Sequence, residues 1–111
     1  MTLTWIIGYR VKEGKEEEFQ RYLASAEFKA LRAALEAETG IRILSTYFSV
    51  EPSSTEEGDY PVWDIWELPS YAAIDRYVNS KARKQFLNEY IAPFVESGYK
   101  WITARQASYL K

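Results

Sequence analysis

Asp64, Arg105 and Tyr47 are the side chains in this sequence best suited to carry chemistry. Asp64 stands in Val-Trp-Asp-Ile-Trp, where alternation puts Val62, Asp64 and Trp66 on one strand face. A carboxyl buried among such neighbours loses solvation, its pKa rises, and it can act as general base or hydrogen-bond acceptor. Arg105 shares a strand face with Trp101 and Thr103 and would hold a carboxylate or a developing oxyanion. Tyr47, grouped by parity with Ser45 and Ser49, would donate a proton. Trp5, Tyr9, Trp66 and Trp101 would form aromatic walls around a small apolar or aromatic ligand. Parity alone does not decide which of these faces meet. The structural alternative is weightier: Asp64 and Arg105 simply pair while the rings fill a dimer core, since structural ion pairs also perturb pKa values.

A second group lies along the later helical region. Tyr77 with Arg83 and Arg76 would place a phenol and guanidinium groups at a cavity mouth, steering an anionic substrate. Ordinary helix patterning favours the plainer reading, with Tyr77 in the core beside a solvated basic side. Glu51, Glu56, Glu57 and Asp59 fall in one loop, but their spacing matches no calcium loop, so a solvated loop and no metal are expected. Lys81, Arg83 and Lys84 read as a solvated helix face.

The chain has no histidine and no cysteine. Histidine base chemistry, histidine-ligated haem, zinc sites built on either residue, thiol nucleophiles and disulfides are therefore excluded. Eighteen of the 111 residues are Trp, Tyr or Phe, and the net charge is −2. That charge balance argues against nucleic acid, which demands clustered Lys and Arg. No apolar run is long enough for a membrane span. The first residues, Met1 to Trp5, lack the basic and apolar segments of a secretory signal, so a cytoplasmic location is expected. No cofactor is expected either.

The elements that must position these groups follow from periodicity. Residues 3–11 alternate and read as a strand, ended at Gly14. Lys15-Glu16-Glu17-Glu18 opens a helix reaching about Glu38, with Gly40 as its stop. Phe19, Leu23, Ala26, Ala30, Ala33 and Ala37 share one face, whereas Phe28, Leu31 and Leu35 lie nearly opposite. A break near Ala24-Ser25 is the favoured explanation, and a subunit contact on the second stripe the other. Residues 41–50 and Tyr60 to Leu68 read as strands joined in a hairpin by the acidic loop. Ser70 should cap a helical region that Asn79-Ser80 interrupts and Pro93 kinks or ends. Tyr99 to Leu110 is the last strand.

Strand, helix, strand, strand, helix, strand is the ferredoxin-like α+β pattern with a four-stranded antiparallel sheet, here one domain over residues 1–111. One sheet face packs the helices. The other is aromatic and should be covered, most simply by a second copy in a homodimer, with pairing into a tetramer as a further option.

Val11-Lys12-Glu13-Gly14-Lys15-Glu16-Glu17-Glu18-Phe19, Gly40-Ile41-Arg42, Trp66-Glu67 and the interrupted helix Tyr71 to Arg83 resemble the dimeric α+β barrel proteins. The likeness is strongest to the antibiotic-biosynthesis-monooxygenase-like and NIPSNAP-like branches, and it covers almost the whole chain. It implies a dimer whose sheets close a barrel, with a cavity between sheet and helices in each subunit. The members' activities include cofactor-independent oxygenation and isomerisation. Where relatives often carry histidines in the second helical region, this chain has Tyr77 and Arg83. Three functions follow as expectations: a cofactor-free monooxygenase-like enzyme on a small aromatic or polyketide-like substrate, a non-catalytic small-ligand binder, or a structural protein with a filled interior.

Overall fold

The computed structural model describes residues 2–50 and 60–105. Four strands form one antiparallel sheet: β1 (Leu3–Tyr9), β2 (Arg42–Phe48), β3 (Val62–Leu68) and β4 (Lys100–Ala104), in the order β2-β3-β1-β4. Helices α1 (Glu16–Leu23) and α2 (Ala26–Thr39) connect β1 to β2. Between β3 and β4 run α3 (Ala72–Val78), α4 (Lys81–Phe86), a π-helical turn (Leu87–Ile91) and α5 (Ala92–Phe94). This is the expected ferredoxin-like α+β arrangement. The acidic loop residues 51–59 and the end of the last strand beyond Arg105 lie outside the described residues.

Both helical interruptions have local causes. Ser25 leaves helical geometry and its hydroxyl accepts the Phe28 amide at 3.2 Å, so the helix ends at Leu23 and restarts. The new axis lets α1 bury Phe19 while α2 buries Phe28, Leu31 and Leu35, which resolves the two stripes; Ala30, Ala33 and Ala37 are exposed. Ser80 repeats the device, accepting the Arg83 amide at 3.0 Å. Ser70 does not act as the expected cap: Tyr71 precedes α3, and Ser70 contributes only its carbonyl, to the Ala73 amide. Gly40 closes α2 at φ 77°, a left-handed conformation suited to glycine.

Pro93 does not simply break its helix. The chain widens just before it, the Ala92 amide reaching back to Leu87. Phe86, Tyr90 and Phe94, spaced by four, all stay buried on the side facing the sheet.

The sheet has two distinct faces. Leu3, Trp5, Ile7 and Tyr9 of β1 and Val62, Asp64, Trp66 and Leu68 of β3 point at the helices and are buried. Ile6, Trp63, Ile65 and Ile102 point the other way, with Trp63 lying over Gly8. In β2 the register slips between Ile43 and Ser45, so Leu44 is an extra residue. Beyond this bulge Thr46 and Phe48, not Ser45 and Tyr47, share the helix-side face, opposite Asp64 and Val62.

Candidate functional site

The helix-side face of β1, β3 and β4 carries a continuous aromatic layer. Trp5 contacts Trp101, Tyr77 and Trp66 with ring centroids at 4.9, 5.2 and 5.9 Å, and Trp66 contacts Phe86 at 5.0 Å. Most of these contacts are edge-on, the favourable geometry for ring quadrupoles. Of the expected wall residues, Trp5, Tyr9, Trp66 and Tyr77 are buried and Trp101 is half-buried. They are packed chiefly against one another. A cleft of about 230 Å³ remains between this layer and the second helical region, bounded by Trp5, Tyr77, Arg83, Leu87, Tyr99 and Trp101. Phe86, Ile91, Tyr99 and Trp101 also bound a smaller space of about 10 Å³, which reaches Tyr9, Asp64 and Tyr90. That space is about the size of one water molecule.

Asp64 sits at this inner end, only 1% exposed, and four neutral donors surround it. Oδ1 accepts from Tyr9 Oη and Thr46 Oγ1, each at 2.9 Å. Oδ2 accepts from Tyr90 Oη at 3.0 Å and from the Trp66 indole N–H at 3.3 Å. The two tyrosine hydroxyls also hydrogen-bond to each other. Burial pushes the Asp64 pKa upward, opposed by the hydrogen bonds from Tyr9, Thr46, Tyr90 and Trp66. Burial first, then the Asp64 charge, drives Tyr9 and Tyr90 well above the ordinary phenol range.

Proton counting gives this cluster its chemical character. Tyr9, Tyr90 and Asp64 form a triangle with three hydrogen-bonded edges. The two phenols supply two protons while Asp64 is ionised, and a protonated Asp64 supplies the third. The site can therefore take up or release one proton without moving a heavy atom.

Two expected partners of Asp64 are elsewhere. Arg105 has the expected strand parity, but Trp101 is the residue of β4 level with Ile7 and Asp64. Arg105 lies four residues further along, about 13 Å at strand rise, and is exposed. Neither the catalytic pair nor the structural ion pair forms. Tyr47 is 59% exposed and opposite Trp63 on the other sheet face, because the bulge at Leu44 reverses the alternation. Thr46 takes its place. The helical trio also divides: Tyr77 and Arg83 line the cleft, whereas Arg76 hydrogen-bonds the Thr39 carbonyl at the end of α2. Tyr90 and Thr46 were not expected at the site. The four-residue series Phe86, Tyr90, Phe94 was the available signal for Tyr90; Thr46 had none. Among the described residues, no group of His, Cys, Asp or Glu could hold a metal ion.

No family model matches this chain, and none of the curated proteins does. Solved structures do. The chain is similar to a DABB family protein with a ferredoxin-like fold from Mesorhizobium loti, at 14% identity over 96% of this chain and 98% of that one, TM-score 0.66. It is similar to an uncharacterized NIPSNAP domain protein from Burkholderia xenovorans, at 15% identity over 100% and 99%, TM-score 0.61. A Nitrosomonas europaea protein provisionally assigned as an antibiotic biosynthesis monooxygenase matches at 12% identity over 96% and 90%, TM-score 0.63. These likenesses show the fold, a ferredoxin-like α+β arrangement, and fold by itself assigns no role.

Proposed function

We propose that this chain is a cofactor-free, monooxygenase-like enzyme acting as a homodimer on a small aromatic substrate, with residues 1–111 as one domain. The observation that carries this reading is the Tyr9–Tyr90–Asp64 triangle at the inner end of an aromatic cleft. A buried carboxyl with no cation beside it among the described residues is an expensive way to fill a core, and apolar side chains would pack there at less cost. Its use is proton handling. A ring seated against Trp5 and Trp101 would pass an acidic proton through the water-sized space to the hydroxyl–carboxyl triangle, leaving an electron-rich anion open to attack by dioxygen. Asp64 is the proton's final acceptor, Tyr9 and Tyr90 relay it, and Trp66 and Thr46 fix the carboxylate. Arg105 and Tyr47 have no part.

A second reading is a small-ligand carrier. The depth of Asp64 favours it, since the space beside it is only about 10 Å³ and touches the cleft only through shared walls. Asp64→Asn separates the readings. Native mass spectrometry of the purified protein should show a retained small aromatic molecule in both proteins, and that molecule should be converted by the parent chain only. Equal conversion by both would remove the catalytic role of Asp64.

The homodimer is proposed from the open sheet face, where Ile6, Trp63, Ile65 and Ile102 form an apolar surface. Gly8 offers a direct test. A β-carbon there would stand 2.8 Å from Trp63 Cζ3, so the indole must swing off the sheet. Gly8→Ala is expected to weaken the dimer about tenfold, ~1.4 kcal/mol, by analytical ultracentrifugation. An unchanged dissociation constant would place the subunit contact elsewhere.

A further inference from the structure

We infer that Arg83 makes this cleft selective for an aromatic anion, a single ring bearing a carboxylate, over neutral rings of the same size. The inference rests on the cleft being a ligand site, as proposed above, and adds the chemical class of its occupant.

Three observations support it. The first is charge. Arg83 is the charged side chain among the residues lining the cleft; the others are aromatic or aliphatic. The second is its lack of an acid. Arg83 is half-buried, and among the described residues its guanidinium forms no ion pair, although Arg21 and Arg42 both do. A carboxylate accepting two parallel N–H bonds would satisfy its planar fork. The position is also fixed: the Ser80 hydroxyl holds the Arg83 amide at 3.0 Å and starts α4 at that point. The third is size. About 230 Å³ accepts one ring with a one-carbon acid group; an apolar cavity of about 150 Å³ is enough for benzene.

The ring would lie among Trp5, Tyr77 and Trp101 with its carboxylate at Arg83. Its far edge would then face Phe86 and Ile91, which border the space leading to Asp64. Charge recognition and proton handling thus occupy opposite ends of one cleft.

Calorimetric titration with benzoate and with benzyl alcohol tests the assignment on the full chain. Benzoate should bind at least about tenfold more tightly, as a charge-assisted bidentate contact warrants. Arg83→Gln should bring the two probes to within about twofold, and an unchanged circular dichroism spectrum shows that the variant is folded. Arg83→Glu should reverse the preference, favouring benzylamine over benzoate. Equal binding of benzoate and benzyl alcohol to the parent protein overturns the inference and leaves the cleft as a neutral-ligand site. A benzoate preference that survives Arg83→Gln also overturns it. Binding of none of these probes removes the cleft reading and this inference together.

Discussion

Trp66→Ala is expected to destabilise the protein by about 3–5 kcal/mol, the range for deleting a large buried ring. Trp66 is 0% exposed and is the hub of the aromatic layer. The rings of Trp5, Trp101, Tyr77 and Phe86 lie 5.0 to 6.2 Å from it. Its removal opens a cavity among rigid neighbours that are held by other contacts and relax little. It also deletes the indole donor to Asp64 Oδ2. Since domains of this size are stable by only about 5–15 kcal/mol, much of the total would be lost. Urea denaturation monitored by circular dichroism measures it. A loss under about 1.5 kcal/mol would mean that the layer is loosely packed and that the cleft extends through it.

The second large effect is a pH dependence. Asp64 has a folded pKa raised above its unfolded value of about 3.8, by burial. Between those two values the native chain binds more protons than the unfolded chain. Stability contributed by this group is then fully present below the unfolded pKa, is lost as pH rises toward the folded pKa, and is level above it. The parent protein should therefore lose stability from about pH 4 upward, by about 1.4 kcal/mol for each unit by which the pKa is raised. Asp64→Asn keeps the shape and two of the acceptor contacts and has no charge to bury. Its stability should be flat through the same window and should at least equal that of the parent at pH 7. Midpoints of urea denaturation from pH 4 to pH 8 for the two proteins decide it. Parallel profiles would show that Asp64 is not the group responsible. A variant that gains stability while losing its chemistry would mark Asp64 as a functional rather than a structural residue.

The parts of this molecule that were legible in its sequence are those governed by neighbours in the chain. Strand alternation and the Ala24-Ser25 and Asn79-Ser80 breaks depend on local hydrogen bonds, and the structure reproduces them. That Asp64 and Trp66 share one strand face could be read for the same reason. What stayed hidden depends on registry or on distant partners. One inserted residue at Leu44 leaves every residue strand-like yet exchanges Tyr47 for Thr46 on the buried face. Arg105 has the right parity, but parity does not tell how far along the sheet a residue stands. Tyr90 meets Asp64 across 26 positions through a widened helical turn that no composition rule announces. Arg83 could be seen as a basic residue on a helix, whereas its want of a carboxylate partner among the described residues is a property of the fold.

The four tryptophans provide the most direct test of the central claim, that the cleft leading to Asp64 is where a ring ligand binds. Their indole N–H resonances can be followed together in a two-dimensional NMR titration with benzoate and phenol. Trp5 and Trp101 bound the cleft, Trp66 packs behind them, and Trp63 lies on the opposite face of the sheet. Saturable shifts of Trp5 and Trp101, with Trp63 unmoved, are the expected result. Shifts of Trp63 with Trp5 and Trp101 unmoved, or no saturable shift with either ligand, would contradict it.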